Sequence, residues 1–182
     1  MLFLLVDLYV NISNERPEKS YPEKMRNGQK SYTVEEARQK LMHFCAYRDR
    51  SQKEVEDKLN DMRMIAEAKE KIIISLMQDG FLNEERFARS FVRGKFRIKK
   101  WGRIKITQEL KKREISSPII KLGLSEIREQ DYQKALYELA EKKSEKIKEP
   151  NQYKKKKKLA DHLLRKGYES HLVFDCINEI TD

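Results

Sequence analysis

The chain is 182 residues long, 38% hydrophobic and 38% charged, with a formal net charge of +10. That length bounds it to one domain or a short row of small ones, and so few apolar residues point to a thin or extended core rather than one large compact one. Six glycines and four prolines argue against a sheet-rich, turn-rich fold. The positive balance favours polyanions, because phosphate contact releases counterions. By itself it leaves nucleic acid, an acidic protein surface and anionic lipid open. Cys45 and Cys176 are too few for a disulfide framework and read as core positions in a reduced compartment. The apolar opening Met1–Val6 is interrupted by Asp7 and preceded by no basic segment. It is too short to span a bilayer and a poor signal peptide, so the expected location is the cytoplasm, without a membrane partner.

Residues 1–30 differ from the rest: after Val10 comes a polar stretch with Pro17, Pro22 and Gly28, expected to be largely disordered. From Thr33 onward the spacing predicts helices almost throughout. Thr33–Glu36 and Ser51–Glu54 are capping boxes, with Ala37, Leu41, Phe44 and Cys45 forming one helical stripe between them. A second helix carries Val55, Leu59 and Met62. A third, over about 66–79, carries Ala68, Ile72, Ile73 and Leu76, and Gly80 stops it. Asn83 caps the next helix, with Glu84 and Glu85 in its first turn, where their charge suits the dipole, and with Phe87, Ala88, Phe91 and Val92 as its apolar side. Gly102 marks a boundary, Ile106 and Leu110 follow, and Ser117-Pro118 predicts a cap with proline in the first helical position. A third round starts near Asp131 with Tyr132, Ala135, Leu136, Leu139 and Ala140. Pro150 breaks it, Leu159 and Leu163 recur, Gly167 stops that helix, and a last one carries Leu172, Val173, Cys176 and Ile177.

These rounds align as a divergent repeat. Val55, Leu59, Met64, Ala68 and Ile73 correspond to Ile106, Leu110, Ile115, Ile119 and Leu124, and then to Leu159, Leu163, Tyr168, Leu172 and Ile177. The expected fold is therefore all-α: three tandem three-helix repeats over 31–81, 82–127 and 128–182. Each is marginal alone and gains by packing on its neighbour. Leu59, Leu110 and Leu163 are the expected structural core.

Charge is unevenly spread: +1 for residues 1–30, −1 for 31–81, +8 for 82–127 and +2 for 128–182. Residues 86–108 hold nine basic residues and no acidic one, with Phe96 and Trp101 interleaved, a pattern that suits a polyanion-facing surface with stacking groups. The candidate partner or nucleic-acid contacts are Arg86, Arg89, Arg93, Arg97, Lys99, Lys100, Arg103 and Lys105. Arg89, Arg93 and Arg97 recur four apart and so share a helix face. Lys154, Lys155, Lys156, Lys157 and Lys158 form a second basic run, a basic contact or a solubilising helix start; on a helix they spread around the axis. Catalytic chemistry is not legible. There is no phosphate-binding glycine loop, dinucleotide fingerprint or HExxH. His43 and Cys45 are two apart, on different sides of a helix. Glu84-Glu85 reads as a helix start. No catalytic residue, metal or cofactor is expected.

Four stretches carry a family resemblance: Tyr47–Ser51 followed by Glu54–Leu59; Gly80-Phe-Leu-Asn-Glu-Glu-Arg-Phe-Ala88 with Phe91-Val92; Trp101-Gly-Arg-Ile-Lys-Ile-Thr-Gln-Glu-Leu110; and Leu163-Leu-Arg-Lys-Gly-Tyr168. In their order and spacing the chain resembles the bacterial RecX regulatory proteins over roughly 33–180. Arg86, Phe87 and Ala88 match the family's arginine–phenylalanine–alanine element, although Asn83-Glu84-Glu85 replaces the aspartates often found before it. Gly102, Leu110 and Ile115 match the middle motif. A glycine common before that isoleucine is Glu114 here, its equivalent in the first round is Arg63, and Gly167 alone keeps it. Those departures are expected to weaken two helix stops.

The resemblance implies an elongated, curved array and a cytoplasmic modulator of the RecA recombinase acting in DNA repair, recombination and the SOS response. Such a protein is expected to sit in the groove of the RecA filament on single-stranded DNA, touching DNA directly or through RecA. It would restrain filament growth, ATP hydrolysis and strand exchange. The expected state is a monomer. Two readings from other classes stay open: a general nucleic-acid-binding helical module, and a helical-repeat adaptor for another protein.

Overall fold

The structure, a computed structural model, describes residues 31–181; the expectation for residues 1–30 lies outside the described residues. It is all-helical: α1 (Val34–Tyr47), α2 (Gln52–Asp61), α3 (Ala66–Gln78), α4 (Glu84–Lys99), α5 (Arg103–Lys111), α6 (Ser117–Leu124), α7 (Glu129–Ser144), α8 (Gln152–Lys166) and α9 (Ser170–Thr181), with no strand among the described residues.

Local side-chain caps set four of the helix starts. Thr33 and Ser51 each accept a backbone N–H from the glutamate three residues on, and that glutamate accepts their own N–H in return. Two otherwise orphaned donors are thereby satisfied at each start. Asn83 accepts from the Arg86 N–H at 2.8 Å and Asn151 from the Lys154 N–H at 3.0 Å. One cap differs from expectation: Ser116, not Ser117, caps α6, its side chain bonds no backbone N–H, and Pro118 falls one place further in. The first-turn N–H groups have no partner within a helix, so proline is tolerated there as well.

The helix stops also correct the sequence reading. Arg63 and Glu114, where the missing glycine was expected to weaken the stop, take φ values of 55° and 61°, in the same left-handed region as Gly167 at 89°. The left-handed turn is kept in all three rounds because the packing that follows requires it. Each turn delivers the next apolar residue through a backbone bond: Met64 N–H to Leu59 O, Ile115 N–H to Leu110 O, Tyr168 N–H to Leu163 O.

The aligned apolar positions divide by depth. Val55, Ile106 and Leu159 are fully buried, as are Leu59, Leu110 and Leu163. In the outer columns Ala68, Ile73 and Ile177 are buried, whereas Ile119, Leu124 and Leu172 are half-buried. The main helix pairings fall within threes: α1 and α2 with α3, α4 with α5 and α6, α5 with α6, and α7, α8 and α9 with one another. The core, however, falls into two parts. Ala37 to Leu82 form one cluster; Phe87 to Ile177 form another, running unbroken from α4 to α9.

Two kinds of junction result. α1–α3 meet the following helices through polar contacts: Asp49 accepts from Arg86 and from Ser90, both at 2.7 Å, and Lys53 pairs with Glu114. α5 and α8 meet through backbone. The Gly102 N–H donates to Lys166 O at 2.8 Å and the Ile104 N–H to Gly167 O at 3.0 Å. Phe96, Tyr132 and Tyr168 stack alongside, with ring centroids 5.9 and 5.1 Å apart. No helix among the described residues is long and apolar enough to cross a membrane.

Candidate polyanion-binding surface

α4 buries Phe87, Ala88, Val92 and Phe96, which leaves its basic residues on the outside. The fold then divides them by partner. Arg86 donates to Asp49 and to the carbonyls of Gly80 and Phe81. Arg89 pairs with Glu85 at 2.8 Å and with Glu126 at 2.6 Å, and Arg93 with Glu126 at 2.9 Å. Arg103 pairs with Glu129 at 2.8 Å and lies 4.0 Å over the Tyr132 ring. Hydrogen bonds from Arg93 and then Arg89 hold the Glu126 carboxyl below its ordinary range. Burial pushes the Asp49 carboxyl up, but the bonds from Ser90 and Arg86 outweigh it and the net direction is down. Four of the eight candidate cations are thus matched to carboxylates within the chain.

The other four are not. Arg97 and Lys99 are exposed and Lys100 half-buried, and none of the three meets a carboxylate among the described residues. Lys100 takes φ 52° as it ends α4, turning the chain so that Trp101 comes back over α4, its N–H bonded to Lys95 O at 3.2 Å. Lys105 donates to Arg165 O at 3.3 Å and sits 4.8 Å from the Trp101 ring. The same ring holds Lys95 at 5.0 Å. Lys95 is also 5.0 Å from Phe91, and the Arg113 guanidinium is 4.9 Å from that ring. Arg113, Phe91, Lys95, Trp101 and Lys105 therefore form one alternating row of cations and rings. Beside it lies a cleft of about 420 Å³ whose wall includes Arg48, Phe91, Lys95, Lys99 and Arg113.

Trp101 and Phe91 are half-buried and engaged by cations, whereas Phe96 is buried in the core and is not a stacking group on the surface. The roles of Phe91 and Arg113 were missed in the sequence, where neither stands out from its neighbours. Glu85, which pairs with Arg89, is four residues away and legible locally, but the other carboxylates that meet Arg89, Arg93 and Arg103 lie 37, 33 and 26 residues away, and no local spacing announces them. In the lysine run, which occupies the first half of α8, Lys154, Lys157 and Lys158 are exposed and Lys155 and Lys156 half-buried. Lys158 pairs with Glu149 at 2.5 Å.

Helices stacked in threes, with one buried leucine repeated in each round and a basic strip along the middle three, define a tandem three-helix-repeat protein. Two family models fit the later helices: residues 83–124 match the second three-helix domain of RecX and residues 129–177 the third. The chain belongs to the RecX family.

A Regulatory protein RecX of Clostridium perfringens is 34% identical over 133 residues, covering 72% of this chain and 60% of that protein. That of Bacillus mycoides is 27% identical over 150 residues, covering 82% and 55%. The chain thus spans somewhat over half the length of these curated relatives. The crystal structure of RecX from Lactobacillus salivarius has a TM-score of 0.72 at 24% identity, covering 81% of this chain and 96% of that one. A crystal structure of a regulatory protein RecX gives 0.74 at 20%, covering 80% and 73%. Both share the fold.

Proposed function

We propose that the chain is a non-catalytic regulator that binds the RecA filament on single-stranded DNA and restrains its growth, its ATP hydrolysis and strand exchange. It acts in the cytoplasm as a monomer, without a cofactor. Membership of a family whose curated relatives are regulatory proteins is the observation that carries this reading. The repeat boundaries at 31–81, 82–127 and 128–182 belong to the same proposal. The middle repeat, with its unmatched cations, sits deepest, near DNA or acidic protein surface, and the outer repeats touch neighbouring recombinase subunits. One molecule then bridges subunits and obstructs the growing end.

The test is ATP hydrolysis by the cognate RecA on single-stranded DNA while this protein is titrated in, with the protein alone as control. Inhibition is expected at a small fraction of the RecA concentration. Arg97, Lys99 and Lys100 changed together to glutamine, which spares the end of α4 the penalty a carboxylate meets there, should weaken it sharply with the chain still folded in a thermal melt. Reversing Arg89 or Arg93 instead would strand Glu126 and confuse binding with folding. A folded protein that leaves verified filaments fully active would rule the proposal out. The surplus of unmatched cations on α4–α5 would then favour the general nucleic-acid-binding module.

A further inference from the structure

We infer that the groove between α2 and α3 docks a cationic amphipathic helix of a partner protein, about three turns long. The inference goes beyond the filament reading and does not depend on it, since the groove lining shares no residue with the cations of α4 and α5.

The groove follows from the spacing along both helices. Its α2 wall is Gln52, Glu56 and Asn60, each four residues after the last. Its α3 wall is Ala66, Glu70, Ile73, Ile74 and Met77, at the three- and four-residue steps of one helix face. The lining therefore runs along both helices, about 16 Å on α3, and the groove holds about 460 Å³. Ile73 is buried and forms the floor, whereas Ile74 is 46% exposed and Met77 42%. Lys69 reaches across from α3 to Asn60 at 2.8 Å and closes the end next to the α2–α3 turn. Two helical walls over an apolar floor are the seat a third helix takes, and the unbranched methionine adapts its shape to what lies on it.

The repeat itself does not ask for this apolarity. Ile73 aligns with Leu124 and Ile177, and at the same offsets Ile74 falls on Ser125 and Asn178, and Met77 on Arg128 and Thr181. The second and third rounds therefore complete the same packing with polar residues where the first exposes two large apolar ones. Gathered in one groove, such residues mark a face for another molecule.

Charge selects that molecule. Glu56 and Glu70 flank the floor, and neither is ion-paired among the described residues; Lys53 and Lys58, the cations of α2, pair with Glu114 and Asp61 instead. Burial, and then the charge of Glu56, push the Glu84 carboxyl at the start of α4 above its ordinary range, so a further carboxylate stands close to Glu56. The aligned positions carry no acid: Thr107 and Ala160 for Glu56, Lys121 and Phe174 for Glu70. A helix with apolar residues on one face and lysines or arginines along its edges answers both the floor and the rim. An acidic helix answers the floor alone and is repelled at the rim.

The experiment uses the full chain and a labelled peptide of about fourteen residues, with leucines at helical spacing on one face and lysines elsewhere. A peptide of the same pattern with glutamates in place of the lysines is the comparison. Fluorescence anisotropy should show saturable one-to-one binding of the lysine peptide below about 100 μM, and binding of the glutamate peptide weaker by about ten-fold or more. Ile74→Ser with Met77→Gln should weaken the lysine peptide about ten-fold. Glu56→Gln with Glu70→Gln should weaken it about three-fold and flatten its salt dependence. Leu122→Gln with Leu164→Gln, exposed apolar residues of α6 and α8, should leave it unchanged. Every substituted side chain is exposed or half-buried. Thermal melts check folding, and the carboxylate pair keeps the test decisive if the apolar pair misfolds.

Equal weakening by the α6–α8 pair would overturn the inference, because the peptide would then be binding any exposed apolar residue. So would equal affinity for the two peptides, or no saturable binding of the lysine peptide. Self-association of the chain, seen by sedimentation and abolished by Ile74→Ser with Met77→Gln, would also overturn it and assign the groove to a second copy. No step uses RecA, so the failure of either claim leaves the other standing.

Discussion

Gly102 and Gly167 meet backbone to backbone, so that a Cβ on Gly102 would fall inside the carbonyl of Gly167 and one on Gly167 would collide with Lys105. The contact lets the last carbonyls of α8 accept the first N–H groups of α5, Lys166 O from Gly102 and Gly167 O from Ile104. Gly102 has no side chain to cap α5, and α8 does so in its place. The negative end of one helix dipole meets the positive end of the other, and orphan groups of both termini are satisfied together. Gly102→Ala should therefore cost on the order of 3 kcal/mol by forcing the two helices apart. Gly94, inside α4 with open space around it, gives the contrast. Gly94→Ala should stabilise by about 0.5–1 kcal/mol. Urea denaturation of the two variants checks both signs, and equal effects would contradict the contact.

The left-handed turns at Arg63 and Glu114 carry a strain that Gly167 does not, because a Cβ crowds the backbone at positive φ. Arg63→Gly and Glu114→Gly are expected to raise stability by up to about 1 kcal/mol each. The exposed Lys53–Glu114 pair lost in the second contributes little. A lower denaturation midpoint in both variants would show that these residues do not hold that conformation in solution.

Tyr168 is fully buried, and its hydroxyl has no hydrogen-bond partner among the described residues. Burial, and then the nearby Glu169 charge, push its pKa up to about 12. An unpaired buried hydroxyl costs about 1–3 kcal/mol, so Tyr168→Phe, which keeps the stack on Tyr132, should raise the melting temperature. Tyr132→Phe should lower it, because the Tyr132 hydroxyl donates to Glu169 at 2.6 Å and accepts the Arg103 N–H at 3.0 Å. Calorimetry of the pair gives the comparison.

Acid should weaken the fold in a defined window. Glu126, Glu109 and Glu149 are held below their ordinary pKa by bonds from Arg93, Lys112 and Lys158 respectively, and Asp49 by Ser90 and Arg86 against its burial. A depressed carboxyl binds its proton less readily in the folded chain than in the unfolded one. Its contribution is complete above the unfolded pKa of about 4 and is lost as pH falls below that through the folded value. The melting temperature should decline over that range, and Glu126→Gln should make the decline shallower. An unchanged profile in that variant would remove Glu126 from the account.

The helices were legible in the sequence because caps and apolar spacing are local. Thr33, Ser51 and Asn83 act where they stand, and the buried column of Leu59, Leu110 and Leu163 follows from the period alone. The candidate surface was legible in part. Its excess of cations lies within a single stretch of chain, but Asp49, Glu126 and Glu129 reach it only through folding, so the internal pairs made by four of the candidate contacts were not foreseen. The left-handed residues were misjudged for a related reason. Glycine lowers the cost of that turn, but the residue that follows it, buried in Ile115 and Tyr168, decides that the turn is made.

The divided core bears on synthesis. A ribosome releases α1–α3 with an apolar cluster of their own, from Ala37 to Leu82, so that part can close while translation continues. α4–α6 emerge with a face that belongs to a cluster reaching Ile177, and it stays uncovered until the last helix is made. The nascent chain is thus exposed to aggregation and proteolysis from the release of its most basic segment until α9 follows.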